Sequence, residues 1–285
     1  MLSAVQVVMT PTEAKRLLSK AILNLDEVKR TLDKGMLIIH PSSTTIFMLE
    51  ELGLRLSQKQ IWVCGHISPK GLCMSRGPID ARVEIPEYGP HKYPFDLIIR
   101  QGTLLPYDKS ALGLALEDAT SDDVYVKGVN AIDPEGNVGI LIAGQSSGGS
   151  MSVVLKKQKE KHFKMVIPAG MEKRIPISIG EASKAAIAAK KAQGIPCSLW
   201  RLHGKVVTEV DAFRQLCDVE AVPISAGGIC GAEGCTIWAL SGEENNVEKA
   251  YKLCEQVRGH QLPYSLDVYE CKDCPNPFCN FSGKK

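Results

Sequence analysis

The sequence has no apolar run that is long enough to cross a membrane. A membrane-spanning helix needs about 20 consecutive apolar residues, and the opening stretch MLSAVQVVM stops well short of that length. This opening also lacks the basic segment of a secretory signal peptide, and it leads directly into a helix start. We therefore expect no membrane association and no secretion.

The sequence also lacks an excess of charge of either sign. It contains 34 Lys and Arg against 32 Asp and Glu, which gives a formal net charge of +2. Its longest basic stretch, residues 156–164, is interleaved with Gln, Glu and His, as is typical of a solvated helix face. Nucleic-acid binding leaves a basic patch or stripe in the sequence, so we expect no nucleic-acid partner.

Regular cysteine spacing is absent as well, although the chain has ten cysteines. In a chain of 285 residues without a signal peptide, irregular cysteines indicate reduced thiols of the cytosol rather than a disulfide framework. Cys64 and Cys197 lie within apolar runs and are expected to be small core residues. These features predict a cytoplasmic protein.

Short apolar runs alternate with helical patterns over the first two-thirds of the chain. Residues 36–39 form a continuous apolar run, which is typical of a strand buried on both faces of a parallel sheet. The segment Thr10-Pro11-Thr12-Glu13 has the cap, the proline and the glutamate of a helix start. This alternation predicts an α/β domain with a mostly parallel sheet.

The last third of the chain follows a different order, β-α-β-β-α-β, which is that of a ferredoxin-like α+β unit. We therefore predict an α/β domain at residues 1–195, a ferredoxin-like domain at 196–270 and a Cys-rich tail at 271–285. The strands predicted for the second domain are 198–202, 219–225, 235–240 and 265–269.

A polar loop, HPSSTT, separates the strand at residues 36–39 from a predicted helix. A helix N-terminus offers free backbone N–H groups, and hydroxyl side chains add further donors. The loop is therefore a candidate phosphate or carboxylate site, with ordinary helix capping as the alternative. The candidate binding residues are Ser42, Ser43, Thr44 and Thr45.

A second polar region follows the predicted strand at residues 124–127. Here Asn130 could orient a substrate hydroxyl or carboxylate, and Asp133 could act as a base or anchor the turn, because Asn and Asp favour turns. The Gly/Ser segment 144–150 precedes a helix, and its backbone N–H groups could form an anion nest or a plain flexible loop. The candidate binding residues are Gly128, Asn130, Ser146, Ser147, Gly148 and Gly149.

The segment VYVKGVNAIDPEG, which lies within residues 123–136, resembles a glycine turn of a known superfamily. This is the NagB/RpiA/CoA-transferase-like superfamily of ribose-5-phosphate isomerase A, glucosamine-6-phosphate deaminase, the CoA-transferases, the lactate-utilisation domain and the initiation-factor-2B-like proteins. The order of HPSSTT, this turn and the later segment AGMEK is also similar. The resemblance covers roughly residues 10–180 and implies a sheet of the isomerase/CoA-transferase type, a small anionic substrate and a homo-oligomer.

The resemblance also implies candidate catalytic residues, with clear departures. CoA-transferases use a glutamate as a covalent nucleophile, a role that Glu172 could hold here, while an ion pair between Glu172 and Lys173 is the alternative. The isomerases carry acidic residues where this chain has Lys127 and Asn130, which argues against the same enediol chemistry. Catalytic expectations therefore fall on Glu172 and Asp133.

The tail sequence CKDCPNPFC contains a Cys-x2-Cys pair and a third cysteine five residues later. Two thiolates at this spacing can reach one tetrahedral metal ion. Cys271, Cys274 and Cys279 are therefore candidate ligands of zinc or an iron–sulfur cluster, which would need a fourth ligand from Cys254, His260, Cys230 or a partner chain. Unligated thiols and a redox clasp are the alternatives.

Together these features predict an enzyme of the transferase or isomerase type that acts on a phosphate, a carboxylate or a CoA ester. Open α/β sheets bind such ligands at the carboxyl ends of their strands. A ligand-sensing subunit without catalysis and a zinc or iron–sulfur protein are the alternatives, because a shared fold does not fix function.

Overall fold

The computed structural model shows a mixed α/β fold. It describes residues 1–56, 63, 65–74, 83–85, 89–90, 96–105, 110–143, 149–259, 269–274, 276 and 278–283. The α-helices in these ranges are α1 Pro11–Leu23, α2 Asp26–Lys34, α3 Thr45–Glu51, α4 Ala111–Asp118, α5 Gly149–Lys161, α6 Ile179–Ala188, α7 Glu209–Cys217 and α8 Glu244–Val257. None of these helices has both the length and the apolar composition needed to cross a membrane.

The largest sheet is a mixed sheet of six strands in the order β15-β13-β10-β2-β8-β9. The first four strands run parallel to their neighbours, and the last two are antiparallel. The mostly parallel sheet predicted from the apolar runs is therefore present with an antiparallel edge. The strands are β2 Met36–Ile39, β8 Leu97–Arg100, β9 Thr103–Leu104, β10 Val124–Val126, β13 Lys164–Pro168 and β15 Lys205–Val207.

The central strands of this sheet are buried on both faces because their side chains alternate between two hydrophobic cores. Leu37 and Ile39 of β2 and Val126 of β10 face one core, which includes residues of α1, α3, α7 and α8. Ile38 of β2 and Tyr125 of β10 face the other core, which includes residues of α4 and α5. This explains why the strands read as continuous apolar runs.

Smaller antiparallel sheets complete the described part of the fold. One has the order β1-β17-β16, and β1 pairs with β17 along its whole length. A second has the order β11-β12-β14, a third β3-β6-β7, and β4 pairs with β5. Their strands are β1 Leu2–Met9, β3 Arg55–Leu56, β4 Gly65–Ser68, β5 Gly71–Met74, β6 Val83–Ile85, β7 Gly89–Pro90, β11 Ala131–Ile132, β12 Val138–Ala143, β14 Cys197–Leu202, β16 Glu220–Gly227 and β17 Cys235–Glu243.

The strands predicted for one ferredoxin-like sheet belong to different sheets. β14 pairs with β12, while β16 and β17 form a sheet with β1, and the predicted strand at 265–269 falls almost entirely outside the described residues. The predicted order of helices and strands matches the structure in part, but this order does not determine which strands pair with each other. β17 is the middle strand of its sheet and buries Trp238 and Leu240, and β1 supplies its second neighbour from the other end of the chain.

The predicted helix start at Thr10 is confirmed. The Thr10 hydroxyl accepts a hydrogen bond from the backbone N–H of Glu13, and the Glu13 carboxylate accepts one from the backbone N–H of Thr10. This reciprocal pair satisfies two of the N–H groups that a helix start leaves open. The cap fixes the point at which β1 ends and α1 turns onto the sheet.

The core that joins α7 to β17 gives a test of the fold. Phe213 is fully buried, and its ring packs edge-on against Trp238 at 6.0 Å between centroids. We expect Phe213→Ala to lower the free energy of unfolding by about 3–5 kcal/mol, measured by urea denaturation. The control Phe278→Ala, at a site that is 67% exposed, should change it by less than about 0.5 kcal/mol. Equal effects would contradict this packing.

Candidate functional site

The strand register brings polar residues together at the carboxyl end of β2. Ile39 pairs with Leu97 of β8 and with Val126 of β10. The residue that follows β2, His40, therefore lies level with Asp96 on one side and with Lys127 on the other. Side chains alternate along a strand, so these residues lie on the face of the sheet that Tyr125 also occupies.

His40, Asp96 and Tyr125 form a buried hydrogen-bonded cluster. His40 Nδ1 lies 2.7 Å from Asp96 Oδ1, and the Tyr125 hydroxyl donates to the same oxygen at 2.7 Å. The distance from His40 Nδ1 to the Tyr125 hydroxyl oxygen is 3.0 Å. Because Nδ1 donates its proton to the carboxylate, the lone pair of the neutral ring is on Nε2. Within the described residues, Nε2 forms no hydrogen bond.

The surroundings favour a neutral imidazole beside an ionised carboxylate. Burial lowers the pKa of His40, and the positive charge of Lys127 lowers it further against the opposing effect of Asp96. Burial alone would raise the pKa of Asp96, but His40, Tyr125 and Lys127 together hold it below its usual range. A neutral imidazole with a free Nε2 and an ionised orienting partner is the arrangement of a general base.

The predicted anion loop is largely occupied by its own hydrogen bonds. Ser42 Oγ accepts hydrogen bonds from the backbone N–H groups of Thr44 and Thr45, and Thr45 Oγ1 donates to the carbonyl of His40 at 2.6 Å. The Thr44 carbonyl accepts from a hydroxyl of α1. These contacts favour the capping interpretation for Ser42 and occupy the hydroxyl of Thr45. The N-cap residue of α3, Thr44, has no side-chain cap hydrogen bond, and Ser43 forms no side-chain hydrogen bond with the described residues.

Gly128 brings the second predicted segment against this loop. A Cβ atom at Gly128 would lie 3.1 Å from Ser42 Oγ, so the glycine permits close contact between the two loops. Lys127 extends from the same point, and its Nζ donates to the carbonyl of Gly128 at 3.2 Å. Ser42 and Gly128 therefore lie together, next to the half-buried Lys127.

Asn130 and Asp133 hold the hairpin of β11 and β12. Asn130 Oδ1 accepts from the backbone N–H of Leu141. Asp133 accepts from the backbone and side chain of Asn137 and from the backbone N–H of Ile179 at the start of α6. Burial would raise the pKa of Asp133, but these hydrogen bonds lower it. The contacts support the turn-anchor role of Asp133 over the catalytic base that the sequence also allowed.

The Gly/Ser segment before α5 is mostly outside the described residues. Ser146, Ser147 and Gly148 fall in the range 144–148, so their predicted binding role has no structural description here. Gly149 begins α5. Met151, in the first turn of that helix, places its sulfur 3.9 Å from the Tyr125 hydroxyl, so the start of α5 lies against the His40 cluster.

Glu172 lies in a second buried cluster, with Lys173 and Glu209. The ion pair that the sequence allowed as the alternative is present, with Lys173 Nζ 4.0 Å from Glu172 Oε1, and its side chains are only 17% and 15% exposed. Both carboxylate oxygens of Glu172 are buried without a hydrogen-bond partner. Glu209 is 2% exposed, and its two oxygens share the backbone N–H of Met171 at 3.1 Å each. Burial and the nearby Glu172 raise the pKa of Glu209 to about 7.

The tail cysteines are present as free thiols in the described part of the chain. Cys271, Cys274 and Cys279 are all half-buried, but no set of three or more metal-binding side chains is positioned to hold a metal ion among the described residues. Of the suggested fourth ligands, Cys254 is buried in α8 and Cys230 is exposed, while His260 is outside the described ranges. The metal-ligand set predicted from the spacing is therefore not assembled in this part of the structure.

Asp96, Tyr125 and Glu209 were not singled out from the sequence. The strands predicted at residues 95–100 and 124–127 contain Asp96, Tyr125 and Lys127. Alternation places these polar side chains on one face of each strand, but which strands are neighbours of His40 is not given by the local sequence. No comparable pattern indicates Glu209, because it follows a short strand whose neighbouring strand cannot be identified from the local sequence.

Comparisons of the chain with protein-family models, with curated proteins and with solved structures found no match. The residues of the two clusters are therefore interpreted from their own geometry and chemistry.

The state of His40 can be measured without knowing a substrate. We expect its imidazole pKa, followed by NMR titration and assigned with His40→Gln, to lie below the usual value of about 6.5. Lys127→Met should raise it, because it removes a nearby positive charge. The exposed control Lys159→Met should leave it unchanged. A His40 pKa above about 6.5 in the unmodified protein would contradict this description.

The buried Glu209 carboxyl predicts a distinctive pH dependence of stability. Its pKa rises from 4.5 to about 7 on folding. Between pH 4.5 and about pH 7, the folded state therefore holds a proton that the unfolded state has lost. The stabilisation from Glu209 is therefore full below pH 4.5 and is lost as the pH rises through about 7.

Glu209→Gln should remove this pH dependence while keeping an acceptor for the backbone N–H of Met171. Relative to the unmodified protein, the variant should gain up to about 3 kcal/mol of unfolding free energy between pH 5 and pH 8, at about 1.4 kcal/mol per pKa unit. Urea denaturation at both pH values measures the difference. Glu135→Gln, at an exposed turn, is the control, and parallel pH curves for all three proteins would show that Glu209 titrates normally.

Proposed function

We propose that this protein is an enzyme acting on a small anionic metabolite, with His40 as its general base. The observation that carries the proposal is the buried His40–Asp96–Tyr125 cluster, in which Asp96 orients the ring and Nε2 is left without a hydrogen bond among the described residues. The carboxyl end of a parallel strand is also where open α/β sheets bind ligands.

The cluster supplies the parts that proton transfer needs. His40 Nε2 takes a proton from a C–H or O–H group of the substrate, and the imidazolium that forms is stabilised by the adjacent Asp96 carboxylate. Tyr125 donates to the same oxygen, so the carboxylate is held in place before the reaction. General base catalysis of this kind contributes about 10²–10⁴-fold to a rate.

The charge near His40 supports an anionic substrate. Lys127 acts electrostatically on both His40 and Asp96, and a phosphate or carboxylate bound there would gain from the same positive charge. Ser43 and the close Ser42–Gly128 contact border the same end of the sheet. The substrate classes are phosphates, carboxylates and CoA esters, and the reaction is an isomerisation or a group transfer that begins with removal of a proton.

This assignment moves the base from the position that the resemblance implied. The isomerases of the resembled superfamily use acidic residues in the glycine turn, and this chain has Lys127 and Asn130 there. In the proposed mechanism the neighbouring strand β2 supplies the base as an imidazole. Lys127, in the turn, then stabilises the negative charge of the substrate, which is compatible with its effect on the pKa of His40.

The proposal is tested by first finding a ligand and then following proton removal. A thermal-shift screen of phosphates, organic acids and CoA esters identifies compounds that bind. For each compound that binds, exchange of its hydrogen for solvent deuterium is measured by NMR. We expect His40→Gln to lower the exchange rate at least about 100-fold with little change in ligand affinity.

The matched control is His203→Gln, since His203 is exposed and distant in sequence from the cluster. This variant should catalyse hydrogen exchange of the ligand at the same rate as the unmodified protein. Lys127→Met should weaken ligand binding, because it removes the positive charge. Ligands that bind without exchange or turnover in the unmodified protein would favour the non-enzymatic ligand-sensing alternative. Exchange that is unchanged in a folded His40→Gln protein would show that His40 is not the base.

A further inference from the structure

The cluster of Glu172, Lys173 and Glu209 lies on the other face of the six-stranded sheet from His40. β13 and β15 end at the same level of the sheet, with Pro168 paired to Val207. β13 leads into the 3-10 turn Met171–Lys173, and β15 leads into α7. Glu172 and Glu209 line a narrow cavity, too small for a water molecule, with residues of β1, α1 and β17. This is the side of the core formed by α1, α7 and α8.

Lys173 is a mostly buried amine whose charged contact among the described residues is one long ion pair with Glu172. Its side chain is 17% exposed, and the nearest carboxylate oxygen, Glu172 Oε1, is 4.0 Å from Nζ. An ammonium group has three donors, yet Lys173 forms no hydrogen bond with the described residues. Burial lowers its pKa, with opposing effects from Glu172 and Glu209 and an additional lowering by Lys15.

The two carboxyl groups beside the amine are also incompletely satisfied. The oxygens of Glu172 have no hydrogen-bond partner, and the indole N–H of Trp238, which lines the same cavity, has none either. Glu209 is paired with backbone N–H groups, including that of Met171, and with no side-chain donor among the described residues. Buried polar groups are normally paired, so this set combines a desolvated amine with carboxyl groups that can exchange protons.

We propose that Lys173 is a carbonyl-reactive amine that forms an imine with the aldehyde or ketone group of a small metabolite. The neutral Nζ attacks the carbonyl carbon, a C–N bond forms, and the carbonyl oxygen takes up a proton to give a carbinolamine. The C–O bond then breaks, and the oxygen leaves as water with the protons that the amine has given up. Glu209 and Glu172 carry these protons between nitrogen and oxygen.

A desolvated lysine beside carboxyl groups has the properties that imine formation requires. The amine must be unprotonated to attack, and loss of water is assisted by a neighbouring acid. The Met171–Lys173 turn supplies the amine and Glu172, and the start of α7 supplies Glu209. The proposal does not depend on the role of His40, which lies on the opposite face.

The probe is glyoxylate, a small anionic aldehyde, with sodium cyanoborohydride to reduce the imine. The site and rate of carboxymethyl-lysine formation are measured by peptide mass spectrometry between pH 6 and pH 9. At pH 7 we expect Lys173 to be labelled several-fold faster than the exposed Lys159, since burial lowers the pKa of Lys173 and leaves more of its amine unprotonated.

Variants separate imine chemistry from a structural role. Lys173→Arg keeps the positive charge and should lose labelling at this position alone. Glu209→Gln should slow the labelling of Lys173 without affecting Lys159, and Glu172→Gln provides the same test if the first variant does not fold. Glu135→Gln is the control. Labelling of Lys173 at or below the rate of Lys159 in the folded protein, or a rate unaffected by both glutamine variants, would overturn the proposal.

Discussion

The candidate site depends on the alternation of side chains along strands that are buried on both faces. Leu37 and Ile39 face one core and Ile38 faces the other, and the same alternation continues into His40. A slip of one residue in the register of β2 would turn His40 to the opposite face. Asp96 and Tyr125 would then be out of reach, so the register that builds the core also builds the site.

Burial makes this cluster a unit rather than a set of separate contacts. An ionised carboxylate that loses its water is costly unless hydrogen bonds replace it, and Asp96 has both the His40 ring and the Tyr125 hydroxyl as replacements. Removal of one partner would leave the others buried and incompletely paired. The orientation of the imidazole and the local stability are therefore properties of the same contacts.

Local signals in the sequence were sufficient for some of these features and insufficient for others. The cap of α1 joins Thr10 to Glu13, three residues away, and the apolar run of β2 is continuous; both could be predicted. Asp96 is 56 residues from His40, so their contact depends on which strands are neighbours. The pairing of β1 with β17 is of the same kind, because nothing near either strand specifies the other.

The HPSSTT loop shows why a local motif can leave two interpretations open. An anion cradle and a helix cap use the same backbone N–H donors, so residue types alone do not distinguish them. In the structure, Ser42 Oγ accepts two of those N–H groups itself. The first residue of the same loop, His40, has a free Nε2 among the described residues, and its partners Asp96 and Tyr125 could not be predicted without knowing the neighbouring strands.

The two polar clusters at the end of the sheet differ in how many of their polar groups are hydrogen-bonded, and this difference suits them to different chemistry. Asp96 Oδ1 accepts hydrogen bonds from both the His40 ring and the Tyr125 hydroxyl, so the His40 ring is held in one orientation and presents Nε2. Glu172 has no hydrogen-bond partner, and Glu209 and Lys173 are each shifted toward the neutral form by burial. Groups near their neutral forms exchange protons at low cost. The first cluster is therefore suited to holding one base in a fixed orientation, and the second is suited to moving protons among its members.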